Sequence, residues 1–128
     1  MARILVVDDE ELARFTIREI LTKAGHEIEE AENGKQAIER QKAEPFDLII
    51  TDIIMPEKDG VKMIAELKQN DPAPIIILAI SAGGPTGDAD FLKRALSAGA
   101  DDILAKPFSE EELVQKVDEC LRILPEES

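Results

Sequence analysis

Short apolar runs alternate with longer amphipathic stretches five times along these 128 residues, and that alternation restricts the possible folds more than any other feature. The apolar runs read as strands at 4–7, 27–31, 47–51, 74–80 and 102–105. The stretches between and after them read as helices at 11–24, 35–42, 61–69, 89–98 and 110–124. Such βα units in series imply a parallel sheet with helices on both faces. Local punctuation agrees. Gly25 follows the first helix, Asn33-Gly34 opens the second, and Ser109 with Glu112 makes a capping box before the last. The runs at 4–7, 48–50 and 75–80 are continuously apolar, as central strands covered on both faces must be. The second run, Glu27-Ile28-Glu29-Glu30-Ala31, is charged and suits an edge, and the very short fifth suits the other edge. The predicted fold is therefore an α/β, doubly wound five-stranded sheet of order 2-1-3-4-5 between two helical layers. A ligand crevice is expected at the carboxyl ends of strands 1 and 3.

The length fits one domain over 1–128, with no internal repeat or linker. With four Phe and no Tyr or Trp, the core has to be aliphatic. A formal net charge of −13 repels phosphate backbones and anionic lipid, so neither nucleic acid nor a membrane is an expected partner. The longest apolar run, 75–80, is too short to span a bilayer, and the amino terminus does not read as a signal peptide. The lone Cys120 excludes an internal disulfide and fits a reducing compartment, so the expected location is cytoplasmic. It shares an apolar helix face with Leu113, Val117, Leu121 and Leu124, which reads as a buried structural thiol. His26 opens the edge strand with no second His in the chain, and carries no expected function.

Function is written on one rim. Strand 1 is followed by Asp8-Asp9, strand 3 by Asp52, strand 4 by Ser81 and strand 5 by Lys106. In a parallel sheet all of these lie at the same end. Any one of them is adequately explained as a loop residue or a cap; Asp8 or Asp9 could cap the first helix. Together they are not, because carboxylates held close repel one another unless a cation intervenes. A hard divalent ion with oxygen ligands removes that cost, and Mg²⁺ binds through one or two carboxylates plus phosphate and water.

At this point the chain resembles the response-regulator receiver domains of two-component signalling, of the chemotaxis-regulator type, from end to end. The matching residues are Val6-Val7-Asp8-Asp9-Glu10, Asp47-Leu48-Ile49-Ile50-Thr51-Asp52, Met55-Pro56, Asp59-Gly60, Ser81-Ala82, Gly99-Ala100-Asp101-Asp102 and Lys106-Pro107-Phe108. Each motif is weak alone, but the ordered set, each at the end of the right strand, is specific. The resemblance implies a flavodoxin-like three-layer αβα fold. It also implies that Asp52 takes a phosphoryl group from a phosphohistidine on a sensor histidine kinase or phosphotransfer protein. In that scheme Asp9 binds Mg²⁺ directly, Asp8 directly or through water, and Asp52 and the carbonyl of Ile54 complete the protein ligands. Lys106 would neutralise the moving phosphoryl group and Ser81 would hydrogen-bond to it. The face made by helix 89–98, strand 102–105 and helix 110–124 would then bind a downstream protein. The Lys106–Pro107 peptide is expected to be cis.

Two positions depart from the family pattern. Ile103 stands where the family usually carries a Tyr or Phe whose ring swings inward, so no aromatic swing is possible here. The loop Ala82-Gly83-Gly84-Pro85-Thr86-Gly87-Asp88 lengthens the stretch from Ser81 to Lys106 and lacks the Gly-Lys-Ser/Thr ending of a P-loop. It reads as a flexible loop beside the site rather than a nucleotide cradle. Other functions compete with the switch. A Mg²⁺-dependent phosphatase with an aspartyl nucleophile would need a proton-transferring Asp two residues after Asp52, where this chain has Ile54. A flavodoxin-like cofactor binder would need aromatic rings to stack, and Trp and Tyr are missing. The chain could also be the receiver part of a longer regulator.

Overall fold

The computed structural model describes residues 2–52, 60–70, 75–82, 93, 96–97, 99–106 and 108–122. Five strands, β1 (Arg3–Val7), β2 (Glu27–Ala31), β3 (Leu48–Asp52), β4 (Ile76–Ala82) and β5 (Asp102–Lys106), form one sheet of order β2-β1-β3-β4-β5. All four pairings are parallel. Among the described residues the helices with continuous spans are α1 (Glu11–Lys23), α2 (Gly34–Ala43), α3 (Gly60–Asn70) and α4 (Glu110–Leu121). The predicted order and both predicted edges are therefore present.

Alternation along each strand divides the core in two. Leu5, Val7, Ile49, Ile77 and Ala79 point to one face and pack with Ala37 and Ile38 of α2 and Met63, Ile64 and Leu67 of α3. Ile4, Val6, Leu48, Ile50, Ile76 and Leu78 point to the other and pack with Ile17, Ile20 and Leu21 of α1 and Leu113, Val117 and Cys120 of α4. Both faces of the central strands are covered, which is why their sequences are apolar without a break. The aliphatic composition suffices, because β-branched and leucyl side chains fill such layers closely. Cys120 is fully buried, and burial, followed by the negative charge of Asp102, pushes its thiol up to about 12. It is a packing residue.

The local signals act as the sequence implies. Gly25 follows α1 at φ +98°, a region in which glycine is favoured over residues with a Cβ. Asn33 caps α2 by accepting from the Gln36 amide at 2.9 Å, and Ser109 and Glu112 form the reciprocal capping box on α4. His26 accepts from the Ala2 amide through Nδ1 at 3.3 Å, tying down the start of the chain.

Several boundaries shift. β4 runs to Ala82 rather than stopping at residue 80, because Ser81 and Ala82 pair with Ala105 and Lys106 of β5. β5 accordingly includes Lys106. α4 ends at Leu121, with Arg122 as its C-cap, so it is shorter than the expected helix; Leu124 lies outside the described residues. Of the helix expected at 89–98, Lys93, Leu96 and Ser97 are helical and the remaining positions lie outside the described residues. The loop residues 83–88, Met55-Pro56, Asp59, Ile54 and Pro107, with its expected cis peptide, lie outside them too. Among the described residues no helix is long and apolar enough to cross a membrane.

Candidate functional site: a carboxylate rim at the end of the central strands

The carboxyl ends of β1 and β3 adjoin. Val7 stands opposite Thr51 in the parallel register, and one step further along come Asp8 and Asp52. Neighbouring strands lie about 4.8 Å apart, so this pairing brings the two carboxylate-bearing residues side by side. β4 continues the rim, with Asp52 opposite Ile80 and Ser81 next in the chain. β5 closes it, with Lys106 opposite Ala82. The sheet thus gathers Asp8, Asp9, Asp52, Ser81 and Lys106 at one end, as the sequence predicts. It places Asp52, Ser81 and Lys106 inside their strands rather than after them.

Asp8 is held from several sides. It is 2% exposed. Its amide donates to Ala31 O at 3.2 Å, and its Oδ1 accepts from the Glu10 amide at 2.9 Å. Its carbonyl accepts from Nη1 of Arg14 at 2.7 Å. Neither Asp8 nor Asp9 is the N-cap of α1; Glu10 takes that position without a side-chain bond to the helix. The cap explanation for the aspartate pair therefore lapses. Asp9 is exposed, Asp52 is part-exposed, and Thr51 Oγ1 donates to the Asp52 carbonyl at 2.8 Å.

Among the described residues no three His, Cys, Asp or Glu side chains are drawn together as a ready-made metal cage. Mg²⁺ dehydrates reluctantly and takes one or two carboxylates, with phosphate and water completing its shell. Hard carboxylate oxygens on Asp8, Asp9 and Asp52 are the right donors. Ile54, whose carbonyl the sequence adds to the set, lies outside the described residues.

Ile103 pairs with Ala79 and packs partly buried against the cluster containing Leu5, Ile49 and Ile77. An aliphatic residue therefore fills the place of the family's usual ring.

The sequence reading missed Arg14. A guanidinium 8% exposed on α1 joins the rim to the edge strand, donating from Nε to Glu30 Oε1 at 3.0 Å. The signal was available. Positions 14, 17 and 21 share one helix face, and two of them are buried Ile17 and Leu21. A charge in such a row requires a buried partner.

The family model for the response regulator receiver domain matches residues 4–118. The chemotaxis protein CheY of Bacillus subtilis is 40% identical over 120 residues, which is 93% of this chain and 97% of that protein. CheY of Halobacterium salinarum is 36% identical over 93% of this chain and 96% of its own length. The transcriptional regulatory protein ResD of Bacillus subtilis is 37% identical over 94% of this chain, which spans only 48% of ResD. Among solved structures, CheY4 of Vibrio cholerae superimposes with a TM-score of 0.84 at 27% identity, covering 94% of this chain and 98% of that one. NtrX of Brucella abortus gives a TM-score of 0.87 at 29% identity, but this chain spans only 27% of it. Motifs, strand order and relatives agree: the chain belongs to the response-regulator receiver domains of two-component systems.

Proposed function

We propose that residues 1–128 form a single receiver domain in which Asp52 accepts a phosphoryl group from a phosphohistidine donor with the help of Mg²⁺. The observation that carries this is the register of β1 against β3, which sets Asp8 beside Asp52 at the end of the sheet. Like charges gathered at one rim raise the energy of the bare site, and a divalent cation offsets it.

The transfer is written on Asp52. One carboxylate oxygen attacks phosphorus, the new P–O bond forms as the P–N bond breaks, and the histidine nitrogen leaves with the electron pair and takes up a proton. Asp8 and Asp9 would hold the ion, with Asp52 and the carbonyl of Ile54 as further ligands. When bound, Mg²⁺ supplies positive charge against the phosphoryl oxygens. Lys106 adds a second positive charge from β5, and Ser81 a hydroxyl that bonds the phosphorylated form. The donor would be a sensor histidine kinase or phosphotransfer protein. The response would pass through the face of helix 89–98, β5 and α4 to a downstream protein, as a signalling event rather than enzymic turnover. A cytoplasmic location belongs to the same reading, supported by the buried free thiol.

Incubation with acetyl phosphate and Mg²⁺ tests the chemistry. We expect a mass gain of one phosphoryl group that is lost in alkali and maps to the peptide containing Asp52. Label on any other residue overturns the assignment. Labelling by a panel of purified histidine kinases then identifies the donor as the fastest one.

A further inference from the structure

Arg14 has no part in the transfer just described, yet it is a charged group buried on a helix face otherwise filled by Ile17 and Leu21. Burying a guanidinium is costly unless its donors are satisfied. Here the satisfaction is directional. Nη1 donates to the Asp8 carbonyl at 2.7 Å, while Nε donates to Glu30 Oε1 at 3.0 Å. The second carboxylate oxygen of Glu30 accepts from Nη1 of Arg18 at 3.0 Å. A line of charge-assisted bonds therefore runs from α1, through the edge strand β2, back to the residue that begins the rim.

We propose that Arg14 is a positioning residue for the metal: its guanidinium braces the Asp8 carbonyl against Glu30 and thereby fixes where the Asp8 carboxylate points. The inference rests on reading Asp8 and Asp9 as Mg²⁺ ligands. Asp8 is fixed at its amide by Ala31, at its carbonyl by Arg14 and at Oδ1 by the Glu10 amide. With three of its polar groups held, the residue keeps little freedom to turn. Without Arg14 the carbonyl loses its brace, and the turn between β1 and α1 must be ordered anew each time an ion binds. That ordering cost appears as weaker metal affinity, since groups that orient metal ligands are commonly worth 10- to 100-fold in binding. A lysine cannot substitute, because the two bonds diverge from a rigid planar fork and an ammonium is a single point.

The test is a Mg²⁺ titration of melting temperature, repeated by calorimetry, on the parent, Arg14→Gln, Arg14→Lys, Glu30→Gln and Asp9→Ala. We expect the half-saturating Mg²⁺ concentration to rise about tenfold or more in both Arg14 variants and by a smaller factor in Glu30→Gln. Labelling by acetyl phosphate at saturating Mg²⁺ should stay within about twofold of the parent, because the ion, once bound, restores the geometry. Glu30→Gln keeps Arg14 in place, so it answers the question even if the Arg14 variants do not fold. Arg14 and Glu30 variants that melt lower without Mg²⁺ yet bind it at the parent's concentration reduce Arg14 to a structural strut and overturn the inference. So does parental affinity in Arg14→Lys. A parent that does not respond to Mg²⁺ at all, like Asp9→Ala, sinks the metal reading itself along with this one.

Discussion

At the amino end of the sheet, Arg3 donates to Pro45 O at 2.7 Å, lies within 3.1–3.7 Å of carboxylate oxygens of Glu27, Glu29 and Glu44, and stacks 4.4 Å from the centre of the Phe46 ring. Nearby, Lys68 reaches Asp101 at 3.0 Å and the Ile75 carbonyl at 2.6 Å, while Asp101 also accepts from the Ile77 amide at 2.9 Å. At the carboxyl end, Asp8, Asp9 and Asp52 carry the same sign. Opposite charges at the first end tie strands to the connections that lead into them. Each exposed pair contributes little on its own, but shared hydrogen bonds to backbone make the network a fastener. On the proposed reading, a cation bound at the second end is held by the carboxylates there. At one pole of the sheet the strand starts thus carry ion pairs tied into backbone, while at the other the strand ends carry the candidate site with Arg14 and Glu30 paired beside it.

Four substitutions and a pH series can break that division or sharpen it. Asp52→Asn should abolish labelling by acetyl phosphate while leaving far-UV circular dichroism unchanged, since an amide keeps the shape and removes the nucleophile. Equal labelling of parent and variant would refute the acceptor. Asp9→Ala should lose most of the Mg²⁺-induced rise in melting temperature and, without metal, melt no lower than the parent, because one repulsive charge has gone. A lower melting point without metal would show that the rim is built for stability after all. Asp101→Ala, at the other pole, should cost about 2 kcal/mol in urea unfolding, as the Ile77 amide and the Lys68 ammonium lose a shared acceptor. Its labelling rate should match the parent, and slowed labelling would mean the poles are coupled.

Smaller effects follow. Ile54→Asn should lose its phosphoryl group a few-fold faster than the parent in Mg²⁺ buffer, a barrier change of less than about 1.4 kcal/mol. A polar side chain two positions past the acceptor can orient the hydrolytic water, which isoleucine cannot. Equal lifetimes would make Ile54 a packing residue. Cys120 belongs to neither pole and provides a zero line. Its thiol is raised from 9.0 to about 12 in the fold, so the unfolded chain ionises first, and its contribution to stability is complete below pH 9 and lost as pH rises toward 12. Urea unfolding should show no Cys120-dependent change between pH 6 and 8, and a decline above pH 9 that Cys120→Ala lacks. A neutral-pH dependence would point to an ionisable partner of the thiol.

The strand order was legible because burial on two faces, one face or an edge leaves different compositions, as Leu48-Ile49-Ile50 against Glu27-Ile28-Glu29 shows. The rim was legible because a parallel sheet sends every strand's last residue to the same end. Strand ends were less so, since Ser81 extends β4 only through its pairing with Ala105 of β5. The Lys68–Asp101 bond was hidden, because nothing in two charges far apart in sequence marks them as partners. Gly99 at φ +127° belongs to the same hidden set. An added Cβ there would meet Lys68 Cγ at 2.8 Å, so the glycine serves both the turn and the lysine's path. Arg14 was obscured by its charge, which reads as solvent-facing until Glu30 and the Asp8 carbonyl are seen beside it.

The sheet order also sets a timetable. β1 precedes every other strand in the chain yet sits inside the sheet, flanked by β2 and β3. Its run Ile4-Leu5-Val6-Val7 therefore has two open hydrogen-bonding edges and two apolar faces until segments well downstream arrive. Parallel pairings of this separation form slowly, because a long loop has to close before any bond rewards it. In that interval β1 is open to pairing with another copy of itself. The strand that later delivers Asp8 to the rim is thus one whose early exposure rapid, orderly folding must limit.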